Sequence, residues 1–146
     1  RSAGERRGVP TIAGRVALEA ALGGADVTVC LLPLTPATEW LLDRSLLQAM
    51  KPGSLLVNAG RGRHLVEADL LAALERGRPG AAWLDVFDPE PLPASSPLWV
   101  HPAVTITPHV ASLTDPRSVA GLILDVWRRH RSGQPLPHRV DPVRGY

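Results

Sequence analysis

The chain has 146 residues, 45% of them hydrophobic and 21% charged, with a formal net charge of +2. That is one domain of ordinary size with enough apolar matter for a core, which argues against global disorder. The near-balanced charge, without a basic stripe interleaved with aromatics, argues against a nucleic-acid partner. The lack of any apolar run near the roughly 18 residues that cross a bilayer argues against a membrane span.

Cys30 is the lone cysteine and sits inside an apolar run, so it reads as a small buried hydrophobe, and no disulfide framework or metal-ligand spacing is available. The N-terminus has no signal-peptide profile, and a cytoplasmic setting is the expectation. The chain opens on Arg1 rather than methionine, which suggests a fragment or a processed product.

In chain order, residues 1–7 are polar and arginine-rich, and residues 8–12 predict a short extended piece. Residues 14–23 predict a helix closed by glycines, with Val16, Leu18, Ala21 and Leu22 on one side. The run Val27 to Leu32, apolar at nearly every position, predicts a parallel strand covered on both faces and ended by Pro33. Asp43 predicts the cap of a helix over 44–50 that Lys51-Pro52-Gly53 halts. A second strand follows over 54–58. Residues 67–76 predict an amphipathic helix with Leu70, Leu71 and Leu74 on one face, stopped by Gly77 and Pro79. Strands are predicted at 81–84 and 104–106, separated by a proline-rich loop. A last helix is predicted over 115–130 with Val119, Leu122, Ile123 and Val126 as its stripe, and the tail 133–146 reads as irregular. Alternating strands and helices predict right-handed crossovers and a parallel sheet, hence a partial Rossmann-like α/β domain.

Polar residues follow the ends of three strands. Arg61 lies between Gly60 and Gly62 after the second strand. Asp85 and Glu90 follow the third, the latter between two prolines. His109 follows the fourth. In a parallel sheet these positions share one edge. An arginine fork there suits the carboxylate of a 2-oxo acid. An imidazole can pass a proton to the carbonyl oxygen, and a carboxylate bonded to it favours the protonated ring and fixes its orientation. The hydride of such a reduction must come from a cofactor, since no side chain supplies one.

The segments Leu32-Pro33-Leu34-Thr35-Pro36-Ala37-Thr38, Asn58-Ala59-Gly60-Arg61-Gly62, Asp85-Val86-Phe87-Asp88-Pro89-Glu90-Pro91 and Thr107-Pro108-His109-Val110-Ala111 resemble the ordered signatures of the D-isomer-specific 2-hydroxyacid dehydrogenases. Leu92-Pro93, Ser96-Pro97-Leu98-Trp99 and the ending Val140 to Tyr146 resemble the glyoxylate/hydroxypyruvate reductase branch. The resemblance implies Arg61 as substrate carboxylate binder, Glu90 as partner of the acid/base, and His109 as proton donor. It also implies cofactor contacts at Pro33, Thr38, Ala59, Gly60, Asp85, His109, Ala111 and Ser112, with Asp85 near the nicotinamide amide. Arg1 and Ser2 fall where NAD-using relatives carry a ribose-binding acid; arginine there, with Arg6 and Arg7, resembles the NADP-preferring pattern, with NAD still possible.

On this reading residues 1–132 are the C-terminal part of a nucleotide-binding domain and 133–146 a tail. The substrate domain and the G-x-G-x-x-G turn are absent from the sequence, so little turnover is expected of this chain alone. The implied partners are a small 2-oxo or 2-hydroxy acid and, in the full-length protein, a second copy. A non-catalytic protein on the same scaffold, truncated or sensing a dinucleotide, is the alternative.

Overall fold

The structure, a computed structural model, describes residues 4–6 and 8–141. It opens with two short antiparallel strands, β1 (Gly4–Arg6) and β2 (Val9–Thr11). The second is the extended piece expected; the first went unforeseen because its stretch carries nothing apolar to signal a strand. Gly8, at φ 78°, lets the chain turn between them. Then follow α1 (Arg15–Leu22), β3 (Val27–Cys30), α2 (Arg44–Ala49), β4 (Leu55–Asn58), a 3-10 turn (Gly62–His64), α3 (Glu67–Leu74), β5 (Ala81–Leu84), a second 3-10 turn (Pro97–Val100), β6 (Val104–Ile106) and α4 (Pro116–Arg131).

The four later strands form one parallel sheet in the order β3-β4-β5-β6. Because each strand neighbours the next, right-handed crossovers put the helices between them on the same face. That face is the core: Cys30, Leu56, Ala82 and Leu84 meet Leu22 of α1, Leu46 and Leu47 of α2, and Leu70 and Leu74 of α3. Each fully buried leucine contributes about 1.5–3 kcal/mol. Asp43 caps α2 by accepting from the Leu46 N–H at 2.9 Å, and Arg15 reaches the same carboxylate at 2.7 Å, tying α1 to that cap.

The opposite face stays open, which corrects the expectation for the first long strand. Val27 and Val29 are 53% and 52% exposed, and Trp83 on β5, in register with Val29 through Val57, is 46% exposed. α1, α2 and α3 all cover the other side, so the apolar run is covered on one face only. α1 likewise buries Leu22 while Val16 and Ala21 face solvent. The stripe on α4 is real in sequence, yet α4 has no buried residue; Leu122 and Ile123 remain about half exposed or more.

What positions the site is the register. Cys30, Asn58, Leu84 and Ile106 sit side by side as the last residues of β3, β4, β5 and β6. The loops carrying Arg61, Asp85 with Glu90, and His109 therefore leave from one edge of the sheet, the edge where open α/β sheets bind ligands.

Candidate active site

Arg61 is placed by two buried side chains. Asn58, the last residue of β4, donates from Nδ2 to the Arg61 carbonyl (3.2 Å) and accepts the Gly60 N–H at Oδ1 (3.2 Å). His64, wholly buried, accepts the Arg61 N–H at Nδ1 (3.1 Å). The guanidinium itself is exposed and spends one N–H on the Gly60 carbonyl at 2.7 Å. Neither glycine beside it has positive φ. What they permit is close packing: a Cβ on Gly62 would lie 1.9 Å from the Phe87 carbonyl, and one on Gly60 would lie 2.8 Å from His64 Nδ1. The Arg61 loop thus rests directly on the loop that carries Glu90.

Glu90 and His109 form a pair, with Glu90 Oε2 2.9 Å from His109 Nδ1. Glu90 Oε1 accepts the Phe87 N–H at 2.7 Å, which curls its loop back on itself. Partial burial pushes the Glu90 carboxyl up, but the Phe87 N–H, His109 and the nearby Arg61 charge together hold it below the ordinary glutamate value. Arg61 and Glu90 are thus electrostatic neighbours.

His109 has φ 56°, a left-handed conformation uncommon outside glycine, although histidine tolerates it better than most residues. Asp85 holds it there. Its carboxylate, 3% exposed, accepts the Val110 and Ala111 N–H groups at 3.0 and 2.9 Å and a short hydrogen bond from the Thr107 hydroxyl. Burial works against ionisation of Asp85. Those three donors and the His109 charge outweigh it and keep the carboxyl below its usual range.

Two cavities flank these groups. One of about 710 Å³ is lined by Glu90, His109, Phe87, Leu92, Trp99 and their neighbours. The other, about 580 Å³, is lined by Leu31 to Leu34, Ala59, Gly60, Arg61 and Ser112. Of the positions expected to touch a cofactor, Pro33, Ala59, Gly60 and Ser112 come together in this second cavity. Thr38 does not line it; its hydroxyl closes the same loop, donating to the Pro33 carbonyl at 2.7 Å and accepting the Thr35 N–H. Asp85 and Ala111 are joined to each other. Arg1 and Ser2 lie outside the described residues.

Sequence reasoning missed three contributors. His64, given no role from the sequence, is buried; nothing near it in sequence marks this, because its partner Pro33 comes from another loop. Thr107 read only as part of a motif and braces Asp85. Trp99 likewise entered only within a motif, and it is 52% exposed on the wall of the cavity beside His109. Among the described residues no group of histidine, cysteine and carboxylates is placed to hold a metal ion, and no helix is long and apolar enough to cross a membrane.

Residues 5–111 match the family model for the NAD-binding domain of D-isomer-specific 2-hydroxyacid dehydrogenases. Among solved structures, the chain is 42% identical to a D-isomer-specific 2-hydroxyacid dehydrogenase from Xanthobacter autotrophicus Py2, solved in complex with NADPH. That match has a TM-score of 0.93 and covers 100% of this chain and 60% of that one. It is 40% identical to an NADPH-dependent glyoxylate/hydroxypyruvate reductase from Sinorhizobium meliloti, solved with NADP and sulfate, with a TM-score of 0.87 over 98% of this chain and 47% of that one. A 2-hydroxyacid dehydrogenase family protein from Klebsiella pneumoniae 342 is 45% identical, with a TM-score of 0.85 over 97% of this chain and 45% of that one. This chain therefore spans between 45% and 60% of the length of these relatives. With four strand-end motifs in order on the matching fold, the chain belongs to the D-isomer-specific 2-hydroxyacid dehydrogenase family, in its NAD-binding domain.

Proposed function

We propose that this chain supplies the proton-transfer and carboxylate-binding edge of an NADPH-dependent reductase that converts 2-oxo acids, glyoxylate or hydroxypyruvate, to D-2-hydroxy acids. The observation that carries the reading is the Glu90–His109 pair with Arg61 beside it on a shared sheet edge. Arg61 binds the substrate carboxylate: a guanidinium has five N–H donors in a planar fork, and only one is spent on the Gly60 carbonyl. His109 has Nδ1 committed to Glu90, so Nε2 is the atom that exchanges a proton with the substrate oxygen. It gives the proton as the carbonyl oxygen gains charge and takes it back when a hydroxy acid is oxidised. Glu90, ionised, accepts from Nδ1 and keeps the ring from turning. Asp85 fixes the backbone on which His109 stands.

A nicotinamide dinucleotide bound at this edge supplies the hydride. The residues present suit such a group: the cavity of about 580 Å³ opens at the carboxyl ends of β3 and β4, combining small and apolar walls with one cation, Arg61. We assign its contacts to Pro33, Thr38, Ala59, Gly60, Asp85, His109, Ala111 and Ser112, and those of a ribose phosphate to Arg1 and Ser2. The preference for NADPH over NADH is supported by the relatives solved with NADPH or NADP. We further take residues 1–132 as part of the nucleotide-binding domain and 133–146 as a tail, with a homodimer in the cytoplasm as the working form.

The test is loss of NADPH absorbance with glyoxylate and with hydroxypyruvate, run on the protein that carries this chain. Turnover supports the reading. Dinucleotide binding with no reduction of any 2-oxo acid contradicts it and favours a sensor on the same scaffold.

A further inference from the structure

We propose that His64 is a positioning residue for Arg61: held as its neutral Nε2–H tautomer, the buried ring locks the Arg61 backbone and ties it to the loop that follows β3. The inference rests on the reading of Arg61 as the carboxylate binder. His64 is 0% exposed and touches two loops at once. Its Nδ1 stands 3.1 Å from the Arg61 backbone N–H, which can only donate, and its Nε2 stands 3.4 Å from the Pro33 carbonyl, which can only accept. One protonation state satisfies both: neutral, with the proton on Nε2. The other tautomer sets donor against donor at Arg61 and lone pair against lone pair at Pro33, and the doubly protonated ring repeats the first conflict.

The surroundings leave the ring little freedom. The His64 N–H donates back to the Arg61 carbonyl at 3.1 Å and its own carbonyl accepts the Leu42 N–H at 2.8 Å. The ring fills the space over Gly60, where a Cβ would come within 2.8 Å of Nδ1 and 3.0 Å of Cε1. Arg61 is therefore held on its N–H by His64 and on its carbonyl by Asn58 Nδ2 and the His64 N–H. Pro33 and Gly60 both line the cavity that also takes Arg61. Through His64 the two walls of that cavity share a hydrogen-bonded brace, so the orientation of the guanidinium and the width of the cavity are set together.

The variants that test this are His64→Leu, which fills the volume and breaks both bonds, and His64→Asn, whose Oδ1 falls near the Nδ1 position and still accepts from Arg61. Made in the protein that carries this chain, His64→Leu raises KM for glyoxylate about tenfold or more, the cost of leaving a buried N–H unpaired beneath the binding arginine, with kcat changed by less than about threefold. His64→Asn recovers most of that KM. A purely structural role predicts loss of stability in both variants with no separation of KM from kcat, and that result overturns the proposal.

A second readout does not depend on turnover. At about pH 8, where free imidazoles are neutral, the ¹⁵N signals of His64 report a bare Nδ1 and a protonated Nε2. The Arg61 amide proton moves upfield in His64→Leu and returns in His64→Asn. If the wild-type protein reduces no 2-oxo acid, the functional reading fails while these spectra still judge the brace. An Nδ1–H tautomer, or an Arg61 amide indifferent to His64→Leu, refutes it.

Discussion

Replacing Gly62 by alanine tests how tightly the Arg61 loop is seated on the Glu90 loop. The added Cβ would stand 1.9 Å from the carbonyl carbon and oxygen of Phe87 and 2.5 Å from the Asp88 nitrogen, where ordinary contact begins at 3.4 Å. The obstacle is backbone, so no side chain can swing aside, and the two loops must part by the difference, 1.5 Å. Overpacking of this kind costs about 1–3 kcal/mol, or roughly 3–10 °C in Tm. The substitution carries a functional cost as well. The Phe87 N–H donates to Glu90, so moving Phe87 carries Glu90 and its bonded His109 away from Arg61. Displacing a reacting group by about 1 Å can cost on the order of 100-fold in rate. Calorimetry together with steady-state reduction of glyoxylate measures both. Gly62→Ala with wild-type Tm and kcat/KM would refute the claim that these loops are packed backbone to backbone.

Other expectations follow from the same geometry. Arg61→Ala should raise KM for the 2-oxo acid about 10- to 150-fold, the worth of a charged hydrogen-bonding partner, while NADPH affinity, read by fluorescence titration, moves much less. Glu90 is held below its ordinary range and stays ionised through neutral pH. Loss of its charge by protonation should therefore appear only in acid: the activity ratio of wild type to Glu90→Gln should shrink as pH falls below about 4.3. Asp85 also has a lowered folded-state value, so its stabilisation is fully present above about pH 3.9 and is lost as pH falls through the folded value. Denaturant melts of wild type and Asp85→Asn should therefore differ at neutral pH and converge in acid.

The strand-end residues were legible because each follows a short run rich in apolar residues that reads as a strand: Leu55 to Val57 before Arg61, Ala81 to Leu84 before Asp85, Val104 to Ile106 before His109. Parallel pairing then brings them to one edge without further information. The Asp43 cap and the leucines of α3 were legible for the same local reason, a spacing of one helical turn. What sequence could not carry is contact between distant loops. His64 is buried only because the loop after β3 folds over it, and Gly62 is needed only because Phe87 lies against it. Coverage of apolar faces was illegible too: the Val27–Cys30 strand and α4 have the pattern of buried elements, but pattern names the face that wants cover and does not say what supplies it.

The central claim is that His109, aimed by Glu90, passes the proton beside a substrate gripped by Arg61. Single-turnover and steady-state NADPH oxidation by His109→Gln, with NADPH binding measured in parallel, tests it most directly. The account predicts kcat lower by about 100- to 10,000-fold with dinucleotide affinity retained. Turnover at the wild-type rate in that variant would contradict it.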